Sequence, residues 1–141
     1  MASTLNFTSV PFTKLTQFTA TDASTHKDIL PADAIYHRRV YGITVWTDET
    51  AAKDVALHLS DGTTTWEITT IAIPLGSGNT NAVVPVDLFA STQVSPYIKN
   101  RDASGSPYLH IPATWSLRIA YNATMTAAKL AHYTVIGEIY Q

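Results

Sequence analysis

Hydrophobic and polar residues alternate with a period of two along most of this chain, in short stretches separated by turn-forming residues. The plainest case runs from Lys53 to Ile73, KDVALHLSDGTTTWEITTIAI. Val55, Leu57 and Leu59 alternate there with Asp54, Ala56, His58 and Ser60, as a strand with one buried face requires. Asp61-Gly62 has the residue types of a two-residue type I′ hairpin turn, in which both positions take positive φ. That turn predicts the register. Ser60 faces Thr63, Leu59 faces Thr64, Leu57 faces Trp66 and Val55 faces Ile68, which puts the apolar residues of both strands on one side.

Further strands follow from the same pattern. Residues 14–21 form a weakly amphipathic first strand, and DILPAD at 28–33 makes a turn into the next. In YHRRVYGITVWT, residues 36–47, Tyr41, Ile43 and Val45 share a face, and Gly42 signals a bulge or a close backbone approach. PLGSGNTNA is a flexible loop, and VVPVDLF is a short edge strand, because Pro85 cannot donate to a central ladder. Residues 91–99 make a turn or one short helix, Asp102–Gly105 a turn, and Tyr108–Ile111 a brief strand. Trp115, Leu117, Ile119 and Tyr121 alternate with polar or small residues in another strand. The last strand, about 129–140, puts Ala131, Tyr133, Val135 and Ile139 on one face and Leu130, Ile136 and Tyr140 on the other. About eight strands without a long helix predict an all-β fold, an antiparallel β-sandwich of jelly-roll or related Greek-key type. Residues 1–13 read as an extended N-terminal arm with Leu5, Phe7, Val10 and Phe12 as docking residues, and 14–141 as a single domain.

Composition narrows the function classes. A formal net charge of −2 and the lack of a basic cluster argue against nucleic acid as a partner. The one basic pair, Arg38-Arg39, sits on a strand with its side chains on opposite faces and is expected at a solvated edge. There is no cysteine, which removes disulfides, thiolate metal sites and cysteine nucleophiles. No signal-peptide pattern and no 20-residue apolar span are visible, so no membrane association is expected. Charged residues make up 14% of the chain, against a usual quarter, and about one residue in seven is threonine. A β surface so poor in charge is weakly protected against association at its edges and suggests that partners cover part of it.

No motif carries catalytic or cofactor chemistry. His26, His37, His58, His110 and His132 show no metal-ligand spacing, and His58 falls on the outward face of its strand. Gly76-Ser77-Gly78 lacks the Lys-Ser/Thr of a phosphate loop. Asp48, Glu49 and Asp54 read as a solvated turn without a calcium ligand ladder. Nothing pairs Glu67 with Glu138 as glycosidase carboxylates, and no serine sits in a nucleophile elbow. Among the aromatics, Trp66, Trp115, Tyr121 and Tyr133 are expected in the core. Trp46, Tyr97 and Tyr108 are expected at the surface, as interface residues or, alternatively, as a sugar platform.

The order of segments over residues 40–140 resembles small β-sandwich virion proteins of tailed bacteriophages, of the head-decoration, cement or adaptor kind. The resemblance rests on the VYGITVWTDETAAKDVALHLSDG block, the HIPATWSLRIAYN block and the closing TVIGEIY strand. In that group a proline-containing turn leads into a Leu–polar–apolar strand, and the chain ends on a strand with glycine before an acidic residue. Pro112, then Leu117-Arg118-Ile119, and Gly137-Glu138 match these features. Relatives often have glycine in the turn before the leucine strand, where this chain has Ala113-Thr114-Trp115. The resemblance implies a virion structural protein, not an enzyme and without a cofactor. It would be assembled in a bacterial cytoplasm and self-associate, as a trimer by preference, on the major capsid protein. The expected contacts are the arm (Leu5, Phe7, Val10, Phe12), Trp46, Tyr97, Tyr108, and Leu130, Ile136 and Tyr140 of the last strand. A tail, neck or fibre component and a lectin-like carbohydrate-binding module are the alternatives.

Overall fold

The computed structural model describes residues 9–22 and 25–140. Leu5 and Phe7 of the expected arm lie outside the described residues. Among the described residues ten strands form two antiparallel sheets: β1 (Ser9–Thr19), β2 (Lys27–Leu30), β3 (Arg38–Thr47), β4 (Lys53–Ser60), β5 (Thr65–Ile73), β6 (Val86–Asp87), β7 (Asn100–Arg101), β8 (Pro107–Ile111), β9 (Ser116–Tyr121) and β10 (Leu130–Tyr140). The larger sheet runs β1-β10-β3-β8-β7, with β6 also on β3, and the smaller runs β2-β9-β4-β5. The pairings β4–β5, β3–β8, β2–β9 and β1–β10 are nested, as in one long hairpin rolled up so that its successive pairs fall alternately in the two sheets. That arrangement is a jelly roll. Seven of the about eight expected strands are principal strands here. The expected VVPVDLF strand shrinks to the two residues of β6, Lys27–Leu30, expected within a turn, forms β2, and β7 is a further two-residue strand.

The core lies between the sheets. Phe18, Ile43, Val45, Tyr133 and Val135 from the larger sheet meet Ile29, Val55, Leu57, Leu117, Ile119 and Tyr121 from the smaller, all buried. Phe18 packs on Tyr121 at 4.7 Å between ring centroids, and the Tyr121 and Tyr133 hydroxyls meet across the sandwich at 2.6 Å. Burial raises the Tyr121 hydroxyl to a pKa of about 12 and raises that of Tyr133 well above its ordinary value. Both therefore stay neutral, and one can donate to the other.

The central hairpin is antiparallel as predicted, in a different register. Its loop has four residues, Asp61–Thr64, because the Asp61 carboxylate accepts the N–H groups of Thr63 and Thr64 at 2.8 and 2.7 Å. Ser60 therefore faces Thr65 and Leu59 faces Trp66. A bulge at Ile68 shifts the pairing again, so that Leu57 faces Thr69 and Val55 faces Ile71. The extra residue turns Ile71 and Ile73 into the core in place of Thr70 and Ala72. Trp66 sits on the inward side but at the open end of the sandwich. It is 45% exposed and stacked on Trp115 at 5.2 Å, outside the core position expected for it.

Other expectations change for equally local reasons. Arg38 is not at a solvated edge, since β3 has β10 on one side and β8 and β6 on the other. It is 3% exposed, and its guanidinium donates to the Pro31 carbonyl and, at 2.6 Å, to that of Trp115. His58 points away from the core as expected, yet only 8% of it is exposed, because His26 packs edge-on against it at 4.5 Å. Glu49 is buried rather than solvated. Its carboxylate accepts from the Thr126 backbone and hydroxyl, joining the β3–β4 turn to the segment before β10. The glycine loop is tied down too. Ser77 is fully buried, Thr47 N–H bonds its carbonyl at 2.8 Å, and Gly76 N–H bonds the Glu49 carbonyl at 2.9 Å. The boundary expected between residues 13 and 14 falls inside β1, which pairs with β10 without a break from Ser9 to Thr19.

Candidate interaction face

The outward face of the larger sheet gathers five of the aromatic and apolar side chains that the sequence singled out, Ile136 exposed and Trp46, Tyr108, Leu130 and Tyr140 half-buried. In a pleated strand alternate residues share a face, so the cross-strand registers decide which ones meet. Leu130, His132, Thr134, Ile136, Glu138 and Tyr140 of β10 point outward, opposite Thr19, Gln17, Leu15, Thr13, Pro11 and Ser9 of β1. On the other flank His132 faces Trp46, Thr134 faces Thr44, Ile136 faces Gly42 and Glu138 faces Arg39. Arg39 in turn faces His110 of β8.

A bulge shapes the middle of this face. Between Gly42 and Val40, β3 carries one more residue than β10, and that residue is Tyr41. Tyr41 consequently leaves the face of Ile43 and Val45, where the alternation put it, and turns outward. The bulge that Gly42 signalled lies beside it, and its close neighbour is a side chain rather than a backbone. A Cβ there would lie 3.1 Å from the Ile136 side chain. Gly137 on the partner strand has a stricter reason to be glycine, because a Cβ would collide with the Arg39 carbonyl oxygen.

Around the bulge a guanidinium–aromatic cluster forms. The Arg39 guanidinium lies 3.8 Å from the Tyr140 ring centroid and 4.6 Å from that of Tyr108, and pairs with Glu138 at 3.3 Å. The Tyr41 hydroxyl is 2.8 Å from Glu138 and 3.1 Å from Asp102, and it has one proton to donate between the two carboxylates. Burial, then the two carboxylates, hold the Tyr41 hydroxyl well above its ordinary pKa. The N–H of Ser106, and beyond it Tyr41 and Ser104, hold the Asp102 carboxyl below its usual range although burial opposes them.

At the other end Trp46 stacks on His132 at 5.0 Å, with ring planes 22° apart. Gly78 lies against the far edge of the indole, where a Cβ would stand 2.7 Å from Cδ1. A concavity of about 470 Å³ opens here, lined by Leu15, Thr16, Gln17, Trp46, His132 and Thr134. Leu15 and Ile136, 69% and 46% exposed, stand between the two clusters. Among the outward positions of β1, β3, β8 and β10 the charged side chains are Arg39 and Glu138, which neutralise each other.

Of the interface residues expected from sequence, Trp46, Tyr108, Leu130, Ile136 and Tyr140 thus share one face. Val10 and Phe12 have the opposite parity on β1, and Phe12 packs against the molecule's own core. Tyr97 stands apart on the turn Ser95–Tyr97, 51% exposed. Sequence reasoning missed Leu15, Arg39, Tyr41 and His132, and the bulge hint at Gly42 was the available signal for Tyr41. Among the described residues no three His, Cys, Asp or Glu side chains converge as a metal cluster. No protein-family model matches the chain, and no curated protein matches it in sequence.

Proposed function

We propose that this protein is a structural component of a bacteriophage particle, a decoration or cement protein that binds the outer surface of the capsid. The outward face of the larger sheet carries the proposal. It combines aromatic rings, Arg39 paired with Glu138, exposed Leu15 and Ile136, and threonines, with Asp87 and Asp102 at its β6 and β7 margin. Enriched aromatics and arginine with few other charges are the composition of an interface core. The jelly-roll fold supports the reading as fold-level analogy alone, since sandwiches of this kind serve in capsids and in lectins alike. Self-association into a ring, a trimer by preference, would let each assembly grip several shell subunits, so that avidity substitutes for tight single contacts. The proposal gives the chain no catalytic role and no cofactor.

The lectin-like alternative draws less support from the geometry. A sugar platform needs an open aromatic face, whereas His132 and Gly78 flank Trp46, and the Arg39 guanidinium lies over Tyr108. The deciding measurement is the copy number of this chain in purified particles, by quantitative mass spectrometry against the major shell protein. A ratio approaching one to one is expected. A ratio of a few per cent would move the protein to the tail, neck or a unique vertex, and absence from particles would end the virion reading. Ile136→Asp, placing a charge at the centre of the face, is expected to leave the domain folded and reduce its retention on particles.

A further inference from the structure

We propose that His37 and His110 form a bidentate surface site for a divalent transition-metal ion of the zinc, nickel and copper class. His37 immediately precedes β3 and His110 lies on β8, 73 residues further along the chain, so the fold itself brings them together. Their Nδ1 and Nε2 atoms stand 3.3 Å apart, with ring centroids separated by 5.2 Å and planes 23° apart. Two zinc–nitrogen bonds of about 2.0–2.1 Å at a tetrahedral angle separate the nitrogens by about 3.3–3.4 Å, which places the ring centroids about 5.2 Å apart. The observed pair therefore has the bite of a chelate. The same spacing lets the two rings share an N–H···N hydrogen bond, which an incoming ion would displace.

The surroundings suit an ion of this class. The backbone of His37 is held in place, because Tyr140 N–H bonds its carbonyl at 3.0 Å, and His110 is fixed in the ladder opposite Arg39. Both rings are exposed, which leaves coordination positions open to water or to a group from another chain. Arg39, opposite His110 in the ladder, pairs with Glu138 and lies against the faces of Tyr108 and Tyr140. Two imidazoles without a carboxylate select zinc, nickel or copper over calcium and magnesium, which require oxygen ligands. A bound ion would join the segment entering β3 to β8 and add stability by mass action.

The test is titration of the chelator-treated full chain with zinc chloride at neutral pH, followed by isothermal calorimetry. Saturable binding is expected at one ion per chain, or one per two chains if the open positions are filled by a second copy. His37→Ala and His110→Ala are each expected to weaken it by roughly tenfold or more, whereas His132→Ala leaves it unchanged. A second measurement needs no variant: substoichiometric Ni²⁺ should broaden the imidazole resonances of His37 and His110 before those of the other three histidines. Zinc affinity equal in wild type and in the double variant, or broadening that begins at another histidine, would overturn the site.

Discussion

At φ +69°, Thr114 holds a left-handed conformation that a β-branched side chain resists, since its Cβ substituents crowd the backbone there. The turn keeps it in place through the Thr114 N–H, which bonds the Asp33 carbonyl at 2.6 Å, a contact that any residue could make. Thr114→Gly is therefore expected to raise stability by about 1 kcal/mol in urea denaturation, the relieved strain exceeding the added entropy of the unfolded chain. His58 gives a prediction with a sign in pH. Burial, then the neighbouring His26, lower its pKa, with Glu67 opposing and Arg118 assisting. Its folded value lies below the unfolded one of about 6.5, so the unfolded chain takes up the proton first as pH falls. Stability is then lost on acidification from about 6.5 downward. His58→Gln should flatten that part of the profile of unfolding free energy against pH, and an identical slope in both proteins would show that His58 does not contribute.

Among the elements, β1 is exposed in a particular way. It is an 11-residue strand at the edge of the larger sheet, paired on one side with β10, and Lys14 is its single charged residue. Lys14 lies at the midpoint of the strand and, opposite Val135, on the parity that faces the core. A lysine on the inner side of an edge strand opposes edge-to-edge pairing, because two copies aligned antiparallel about this point would set like charges together. Lys14→Val should therefore increase concentration-dependent association over wild type, read by sedimentation velocity. Unchanged sedimentation would remove Lys14 from that role. The longer strands, unlike four-residue β2, which was expected within a turn, were legible from alternation, since side-chain direction along a strand is a local property. Registers were less so. The Asp61 carboxylate lengthened the central hairpin loop by two residues, and bulges at Ile68 and Tyr41 inserted one residue each into their strands. Each is a choice between pairings of similar local energy.

Across the whole molecule, the Tyr121–Tyr133 hydroxyl contact joins the two sheets in the middle of the core. Tyr133→Phe strands the Tyr121 hydroxyl without its partner and should cost about 1–2 kcal/mol. Adding Tyr121→Phe should recover part of that loss, so the double variant is more stable than the sum of the singles predicts. Additive losses would mean that the two hydroxyls act independently. The same scale separates what was readable from what was not. The two-residue period and the turn residues already marked an antiparallel sandwich and most of its strands along the chain, because each acts through neighbours a few residues away. The interaction face and the histidine pair were not readable in that way. Trp46 meets His132, Arg39 meets Tyr140, and His37 meets His110 across strands brought together from distant parts of the chain. Such meetings depend on registers, and a bulge of one residue, added where the core packs better, reverses which side chains face outward.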